Sequence, residues 1–169
     1  MPCVVADTSP IFYLAQLRHL RLLRELYDTV HVPGEVWAEL QAGGRVDATL
    51  VPMLTTAQNE GWMICHDVPT PVEPAALLEL DRGEAEAITL AQSLRADLLV
   101  IDELKCRAVA TNLGLPIIGT LGVLASAKRE GLISSLRTEF RRLRHETGFR
   151  FSLHLERELL SAAGEDTAS

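Results

Sequence analysis

Short apolar runs alternate with segments of helical periodicity along this chain, and that alternation is what most constrains its fold. The second half shows it most clearly: the periodicity predicts a helix over 84–95, a strand over 97–101 and a helix over 103–113. A turn at Gly114 and a strand over 116–118 follow. Because strands joined by crossover helices form a parallel sheet with helices on its faces, the pattern predicts an α/β fold.

The other predicted elements suit the same class. The first strand, 2–6, leads into a helix that Ser9 caps, with Pro10 at its first position. A strand near 62–65 is expected beside the first strand, and the proline-rich stretch 67–76 is expected to be a surface loop. The remaining predicted elements are helices over 19–27, 34–43, 46–58, 121–130, 134–146 and 153–163, a strand over 29–32 and an edge strand over 149–151.

Length and composition indicate one globular domain over 1–169. The chain has 169 residues, 47% of them hydrophobic, which suffices for a core without disulfides or a structural metal. No apolar stretch is long enough to span a membrane and no leader peptide precedes the first strand, so a soluble cytoplasmic protein with no membrane partner is expected. Three cysteines and five histidines lack the spacing of a disulfide framework or a zinc site.

Four carboxylates occur where a parallel fold would bring them to one edge of the sheet. Asp7 directly follows the first strand and Asp102 directly follows the strand over 97–101. Both are therefore expected at the carboxyl ends of strands, where open α/β sheets bind their ligands. Glu84 begins a helix at the same edge, because a crossover helix runs antiparallel to the strands it joins. Glu39 lies on the helix that follows the second strand.

Each of these acids also has a purely structural explanation. Asp7 and Asp102 could each orient or cap the helix that follows it. Glu39 could be a solvated residue on a polar helix face. Glu84 could form a capping box with the aspartate three residues before it, and Glu86 competes with Glu84 as the third acid of the group.

Taken together, the four acids indicate a metal site. Carboxylates gathered at one edge raise one another's pKa unless a positive charge lies between them. An all-oxygen site without cysteine or histidine suits the hard ions Mg²⁺ and Mn²⁺, which bind phosphate oxygens alongside a few carboxylates. Because such ions activate water for attack on phosphate esters, the predicted chemistry is phosphodiester hydrolysis.

The net charge of −7 argues at first against a nucleic-acid partner, but the charge is segregated. Residues 33–103 contain thirteen acids and three bases, whereas residues 128–150 contain seven bases and three acids. An acidic centre beside a basic flank suits an enzyme that binds cations at carboxylates and a phosphodiester backbone at arginines. Taken alone, the arginines are better explained as the solvated face of an amphipathic helix.

The acids lie in motifs that resemble those of the PIN-domain ribonucleases, a family that includes the VapC-like toxins of bacterial toxin–antitoxin pairs. The likeness covers about residues 1–125, and a GEAEAI third motif and the stretches 119–124 and 149–152 resemble a poorly characterised prokaryotic branch. The third acid, Glu84, departs from the aspartate of many relatives. The four motifs are Val4-Val5-Ala6-Asp7-Thr8-Ser9, Val32 to Leu40, Gly83-Glu84-Ala85-Glu86-Ala87-Ile88 and Leu98-Leu99-Val100-Ile101-Asp102.

The resemblance implies a PIN-like three-layer α/β/α sandwich with a central, mostly parallel sheet. Its core would span about 1–125, with a helical extension over 126–169. It further implies a catalytic group of Asp7, Glu39, Glu84 and Asp102 that cleaves RNA. Mg²⁺ or Mn²⁺ would be held by Asp7, Glu84 and Asp102, with Glu39 assisting through a bound water or from behind these ligands.

Further expected RNA contacts lie near helix starts and in the basic flank. Hydroxyls at helix starts can bind a metal-bound water or a phosphate, and arginines can bind the RNA backbone. The resemblance also implies a homodimer and a small antitoxin protein that covers the acidic edge. The expected RNA contacts are Thr8, Ser9, Thr120, Arg137, Arg141 and Arg144.

Two other functions are compatible with the sequence. A phosphatase that uses an aspartyl nucleophile also needs an acid after its first strand, but its usual second aspartate is replaced here by Ser9. A non-catalytic RNA- or protein-binding module would keep the fold without needing the acids.

Overall fold

The computed structural model describes residues 1–43, 47–71 and 74–165. Strands and helices alternate along most of this part of the chain. Within it, no helix has the length and apolar character needed to cross a membrane. The elements are β1 (Val4–Ala6), α1 (Thr8–Gln16), α2 (Arg21–Tyr27), β2 (Val30–Pro33), α3 (Gly34–Gly43), α4 (Leu50–Asn59), β3 (Met63–His66), α5 (Pro74–Leu77), α6 (Arg82–Ser93), β4 (Leu98–Val100), α7 (Leu104–Asn112), β5 (Ile117–Ile118), α8 (Thr120–Arg129), α9 (Leu136–Glu146) and α10 (Leu153–Ala162).

The described strands form one sheet in the order β3-β2-β1-β4-β5, and every pair in it is parallel. The chain first builds outward from β1 through β2 to β3 and then returns to the other side of β1 with β4. The strand order therefore reverses between β1 and β4. In open α/β sheets this switch point leaves a crevice at the carboxyl ends of the strands, where ligands bind.

Helices cover both faces of the sheet, as a three-layer α/β/α sandwich requires. Successive side chains of a strand point to opposite faces, so Val4 and Ala6 of β1 pack into one hydrophobic cluster and Val5 into another. The first cluster includes residues of α1, α4, α8 and α9, and the second includes residues of α6 and α7. Burial on both faces explains why β1 and β4 read as continuous apolar runs in the sequence. The predicted fold class is confirmed.

The predicted place of the third strand is wrong. β3 lies at the edge of the sheet and pairs with β2, from Val30 opposite Met63 to Pro33 opposite His66. It cannot lie beside β1, because β2 and β4 already occupy the two sides of that strand. Consecutive strands are commonly neighbours in a sheet, and that tendency places β3 correctly.

Three local predictions also differ from the structure. Ser9 does not cap the first helix; Asp7 holds the capping position and α1 begins at Thr8, with Pro10 still inside the first turn. The stretch 67–76 is not wholly a loop, because α5 begins at Pro74. The segment 149–151 forms no strand. Residues 46, 72–73 and 166–169, which fall inside predicted segments, lie outside the described residues.

The helices after residue 125 complete the main core. Leu136, Phe140 and Leu143 of α9 and Leu160 of α10 are fully or almost fully buried and belong to the same hydrophobic cluster as Val4. The spacing of the three α9 residues places them on one face of that helix, as predicted. The C-terminal helices therefore pack into the same core as β1.

Replacing Phe140 by alanine tests this packing. Because its ring is fully buried in the main core, Phe140→Ala should lower the free energy of unfolding by about 3–5 kcal/mol in urea denaturation. Leu153→Ala, at a position that is 60% exposed in the same region, is the control and should change it by less than about 0.5 kcal/mol. Equal stability of the two variants would show that α9 is not part of the core.

Candidate active site

Asp7 occupies the switch point of the sheet. It directly follows β1, and its backbone N–H donates to the carbonyl oxygen of Val100 on β4 at 3.0 Å. Only 4% of the residue is exposed. Burial raises the pKa of Asp7 to about 7 from its ordinary value near 3.8; the Thr8 amide opposes this rise, and the carboxylates of Glu84, Asp81 and Glu39 reinforce it. The site thus contains a desolvated carboxyl group within the field of further acids.

Glu39 reaches this group from α3 and is held by Thr8. The Thr8 hydroxyl donates to Glu39 Oε2 at 2.6 Å. Burial raises the pKa of Glu39, the Thr8 hydrogen bond opposes the rise, and the charges of Asp81, Glu35 and Glu84 add to it. Thr8, expected to bind RNA, therefore positions one of the acids, and its contact with RNA stays a prediction.

Gly83 allows the start of α6 to approach Glu39 closely. A Cβ atom at this position would lie 2.5 Å from Glu39 Oε1 and 3.0 Å from its carboxyl carbon. Only glycine therefore fits here while Glu39 keeps its place. The only sign in the sequence that Gly83 belongs to the site is its position directly before Glu84. Its contact with Glu39 could not be predicted, because Glu39 lies 44 residues earlier in the chain.

Glu84 both caps α6 and contributes charge to the site. Its N–H donates to Asp81 Oδ1 at 2.9 Å, and its Oε2 accepts from the Asp81 N–H at 3.1 Å. The capping box considered in the sequence analysis is therefore present. Glu84 nevertheless raises the pKa of Asp7 through its charge, so the two functions coexist.

Glu86 serves a different part of the molecule. Its Oε2 accepts from the backbone N–H of Glu35 at 3.0 Å, in the first turn of α3, and its Oε1 lies 3.7 Å from Arg82 Nε. Arg82 also lies 3.5 Å from Glu35. The geometry thus favours Glu84 over Glu86 as the third acid of the site.

Asp102 follows β4 and is held at the start of α8. The Thr120 N–H donates to Asp102 Oδ1 at 2.8 Å, and the Thr120 hydroxyl donates to Oδ2 at 2.6 Å. Asp102 does not cap α7, because Glu103 accepts from the Lys105 N–H there. Thr120, another expected RNA contact, therefore positions an acid as Thr8 does, and its contact with RNA stays a prediction.

The surroundings of Asp102 include a basic residue that the sequence analysis did not single out. Burial raises the pKa of Asp102, while the two Thr120 hydrogen bonds and the charge of Arg107 oppose the rise. The Arg107 guanidinium donates to the carbonyl oxygen of Ile101 at 3.1 Å. A Cβ atom on Gly119 would lie 2.8 Å from both Asp102 Oδ1 and Arg107 Nη1, so a larger residue here would have to displace these side chains.

Glu84 and Asp102 face a common cavity of about 240 Å³. Ser9 also lines this cavity, and its contact with RNA stays a prediction. Arg150 is the basic residue of the lining, and the sequence analysis did not propose it as a contact; its sign in the sequence was its place between Phe149 and Phe151. The other lining residues are Tyr13, Glu103 and Phe149.

Two of the three arginines expected to bind RNA contact other residues of the C-terminal region. Arg144 donates to Glu156 at 2.8 Å and lies 4.0 Å above the ring of Phe151. Arg137 contacts Glu165 through its backbone N–H at 2.7 Å. Arg141 is exposed on α9. Contact of these arginines with RNA stays a prediction, whereas Arg150 is the arginine that the structure brings to the acids.

The donor chemistry of the site suits a hard divalent cation. Asp7, Glu84 and Asp102 offer only carboxylate oxygens, and the desolvated Asp7 lies among other negative charges that a cation would neutralise. Across residues 1–43, 47–71 and 74–165, no group of three or more histidine, cysteine, aspartate or glutamate side chains is arranged so that it could hold a metal ion. The hydroxyls of Thr8 and Thr120 occupy oxygens of Glu39 and Asp102 instead.

A comparison with models of protein families identifies a relationship for this chain. A protein-family model described as a PIN domain matches residues 3–165, which is nearly the whole chain and includes the C-terminal helices. No curated protein matches the chain. PIN domains are generally nucleases that use divalent metals.

The pKa of Asp7 predicts how stability depends on pH. Between its unfolded value near 3.8 and its folded value of about 7, the folded state binds more protons, so the free energy of unfolding falls as pH rises through this range. Asp7→Asn removes this loss. Relative to wild type, the variant should gain up to about 4 kcal/mol between about pH 4 and pH 8 in urea denaturation with EDTA.

Asp28→Asn is the control, because Asp28 is exposed at the amino end of β2, away from the site. Its pH profile should parallel that of wild type. If Asp7→Asn also runs parallel to wild type, folding does not desolvate the Asp7 carboxyl group.

Proposed function

The chain belongs to the PIN-domain family, and from this premise we propose that it is a ribonuclease that hydrolyses RNA phosphodiester bonds with Mg²⁺ or Mn²⁺. One observation carries the proposal: the buried Asp7 carboxyl group lies at the switch point of the sheet, within the field of Glu84 and Glu39. A desolvated acid among acids is unfavourable without a positive partner. In metal-dependent cleavage of a phosphodiester, a bound cation supplies the positive charge that this group of acids needs.

In this proposal Asp7, Glu84 and Asp102 hold the divalent cation. When bound, the cation acidifies a coordinated water and neutralises charge on the phosphate oxygens. Thr120 holds both oxygens of Asp102, and Thr8 holds Glu39 so that its carboxylate assists through a water molecule. Arg150 lies on the same cavity as Glu84 and Asp102 and attracts the RNA backbone.

The proposal extends to partners that the family resemblance suggests. We propose a homodimer and, as in the toxin branch of the family, a small antitoxin protein that covers the acidic edge. A neighbouring gene whose product copurifies with this protein and suppresses cleavage would support the toxin role. A solitary gene would favour a housekeeping nuclease.

Replacing Asp102 by asparagine tests the catalytic role. Asparagine can still accept from Thr120, so the fold should be kept, but it offers no carboxylate to a cation. Asp102→Asn should lower Mn²⁺-dependent cleavage of single-stranded RNA by about 100-fold or more, with RNA affinity retained. The control Asp28→Asn should cleave at the wild-type rate.

Other outcomes of this experiment identify the alternatives. Absence of cleavage by the wild type on varied RNAs, with RNA binding retained, would favour a non-catalytic binding module. A covalent phosphoryl group on Asp7 would favour a phosphatase with an aspartyl nucleophile.

A thermal-shift experiment tests the metal ligands and separates the two competing glutamates. Mn²⁺ at about 100 times its Kd should stabilise the wild type by about 2.7 kcal/mol. Glu84→Gln keeps the capping box, since glutamine can replace glutamate in it, but should lose most of the stabilisation. Glu86→Gln is the matched control and should keep it. The reverse pattern would make Glu86 the ligand, and no shift in any protein would argue against metal binding.

A further inference from the structure

A second cavity, of about 640 Å³, adjoins the candidate active site. It lies between α7, the edge strand β5, α8 and the segment 149–159. Asp102, Phe149 and Arg150 line both this cavity and the smaller one at the acids, so the two cavities are neighbours that share one wall. We call the larger cavity the side groove; its other lining residues include Leu104, Arg107, Ile118, Leu121, Phe151 and Leu155.

The walls of the side groove are largely apolar. Ile118 and Leu121 form one side, and Phe151 belongs to the segment on the other. Two large apolar side chains on the groove are exposed, Leu104 at 80% and Leu155 at 38%. Apolar surface gathered in a concavity of this size is typical of a binding site rather than of an ordinary protein surface.

The end of the side groove nearest the acids is positively charged. Arg107 lies beside Asp102, and Arg150 lies where the two cavities meet. Within the described part of the chain, no hydrogen bond or ion pair ties the exposed Arg150 to another residue. The groove thus combines an apolar interior with basic side chains at its junction with the acids.

The segment 149–152 has this position because of its aromatic contacts. Phe149 packs edge-on against Tyr13 of α1 with ring centroids 4.9 Å apart, and Phe151 packs against Phe140 of α9 at 5.4 Å. Arg150, between them, is left exposed at the junction. The C-terminal extension therefore forms a wall of the groove and supplies its charge.

We propose that the side groove binds an unpaired nucleotide of the substrate RNA. The base lies against the apolar walls, and the adjoining phosphates lie near Arg107 and Arg150, so that the next phosphodiester reaches the acids. Bases in a duplex face inward and are stacked, whereas an unpaired base can turn into an apolar cavity. Proteins that bind single strands combine basic side chains along the backbone with aromatic side chains on which bases stack, and the groove offers Arg107, Arg150 and Phe151. This inference rests on the proposed ribonuclease function.

The shared wall of the two cavities favours RNA over a protein segment as the occupant. A chain that passes from the side groove to Asp102 enters a site whose acids suit a cation and a phosphate, and it passes two arginines on the way. RNA offers a base with apolar faces and an anionic phosphate in every nucleotide. A peptide of an inhibitor protein would instead need an acidic residue at the position in its sequence that meets Arg107 and Arg150.

Two variants and two matched controls test the proposal. Arg150→Ala removes the junction charge and Leu155→Gln makes the wall polar, while both positions are exposed enough for the fold to be kept. The controls are Arg157→Ala, an exposed arginine that lies outside the groove on the same helix as Leu155, and Leu132→Gln, whose side chain is 37% exposed and also lies outside the groove.

Affinity for fluorescent RNA is measured by anisotropy in EDTA, with one sequence as a single strand and as a perfect duplex. Each groove variant should bind the single strand about tenfold more weakly, and the controls should bind like wild type. Arg150→Ala should also reduce the slope of log Kd against log salt by about one. The wild type should prefer the single strand.

Crosslinking then locates the base. A single strand containing thiouridine should crosslink, under ultraviolet light, to the peptide that covers residues 149–159 in the full chain. Wild-type affinity of both groove variants, or crosslinks confined to other peptides, would overturn the proposal. So would variants that lose only a copurifying inhibitor protein, because the groove would then dock protein.

These results separate the side groove from the proposed activity. If the predicted binding and crosslinks are found but no RNA is cleaved, the groove proposal stands and the ribonuclease proposal fails. If RNA is cleaved but the groove variants bind and crosslink like wild type, the ribonuclease proposal stands and the groove proposal fails.

Discussion

The pairing of β1 with β4 is the contact on which the candidate site depends. Parallel pairing from Val4 opposite Leu98 to Ala6 opposite Val100 ends both strands at the same edge, and both Asp7, directly after β1, and Asp102, two residues after the end of β4, lie beyond that edge. The next strands along the chain, β2 and β5, lie on opposite sides of this pair, which is the arrangement that leaves a crevice at the switch point.

The acids are held in place by hydroxyl groups and by close backbone approaches. Thr8 binds Glu39 and Thr120 binds Asp102, and each threonine is the first residue of a helix. Gly83 and Gly119 leave room for these carboxylates where any side chain would collide with them. This arrangement fixes carboxylates in a partly buried place, which costs folding free energy.

The C-terminal helices contribute to both stability and the site. Phe140 and Leu143 fill the main core, while the segment that follows α9 brings Arg150 to the acids. The basic flank seen in the sequence is therefore divided between two tasks: Arg144 and Arg137 hold the C-terminal region, and Arg150 faces the cavity. The net charge of the segment could not show this division, because a count of charges does not tell which residues each side chain contacts.

The sequence by itself determined the α/β class, nearly all of the elements and the placement of Asp7 and Asp102 at strand ends, because periodicity, burial and capping are local properties. Only the tertiary structure decided the position of β3 and the threonine partners of Glu39 and Asp102. It also decided that Glu86 contacts the first turn of α3. It also decided that Arg150, rather than an arginine of α9, lines the acidic cavity. These features depend on distances between segments that are far apart in the chain, and such distances are set by packing, which no local pattern records.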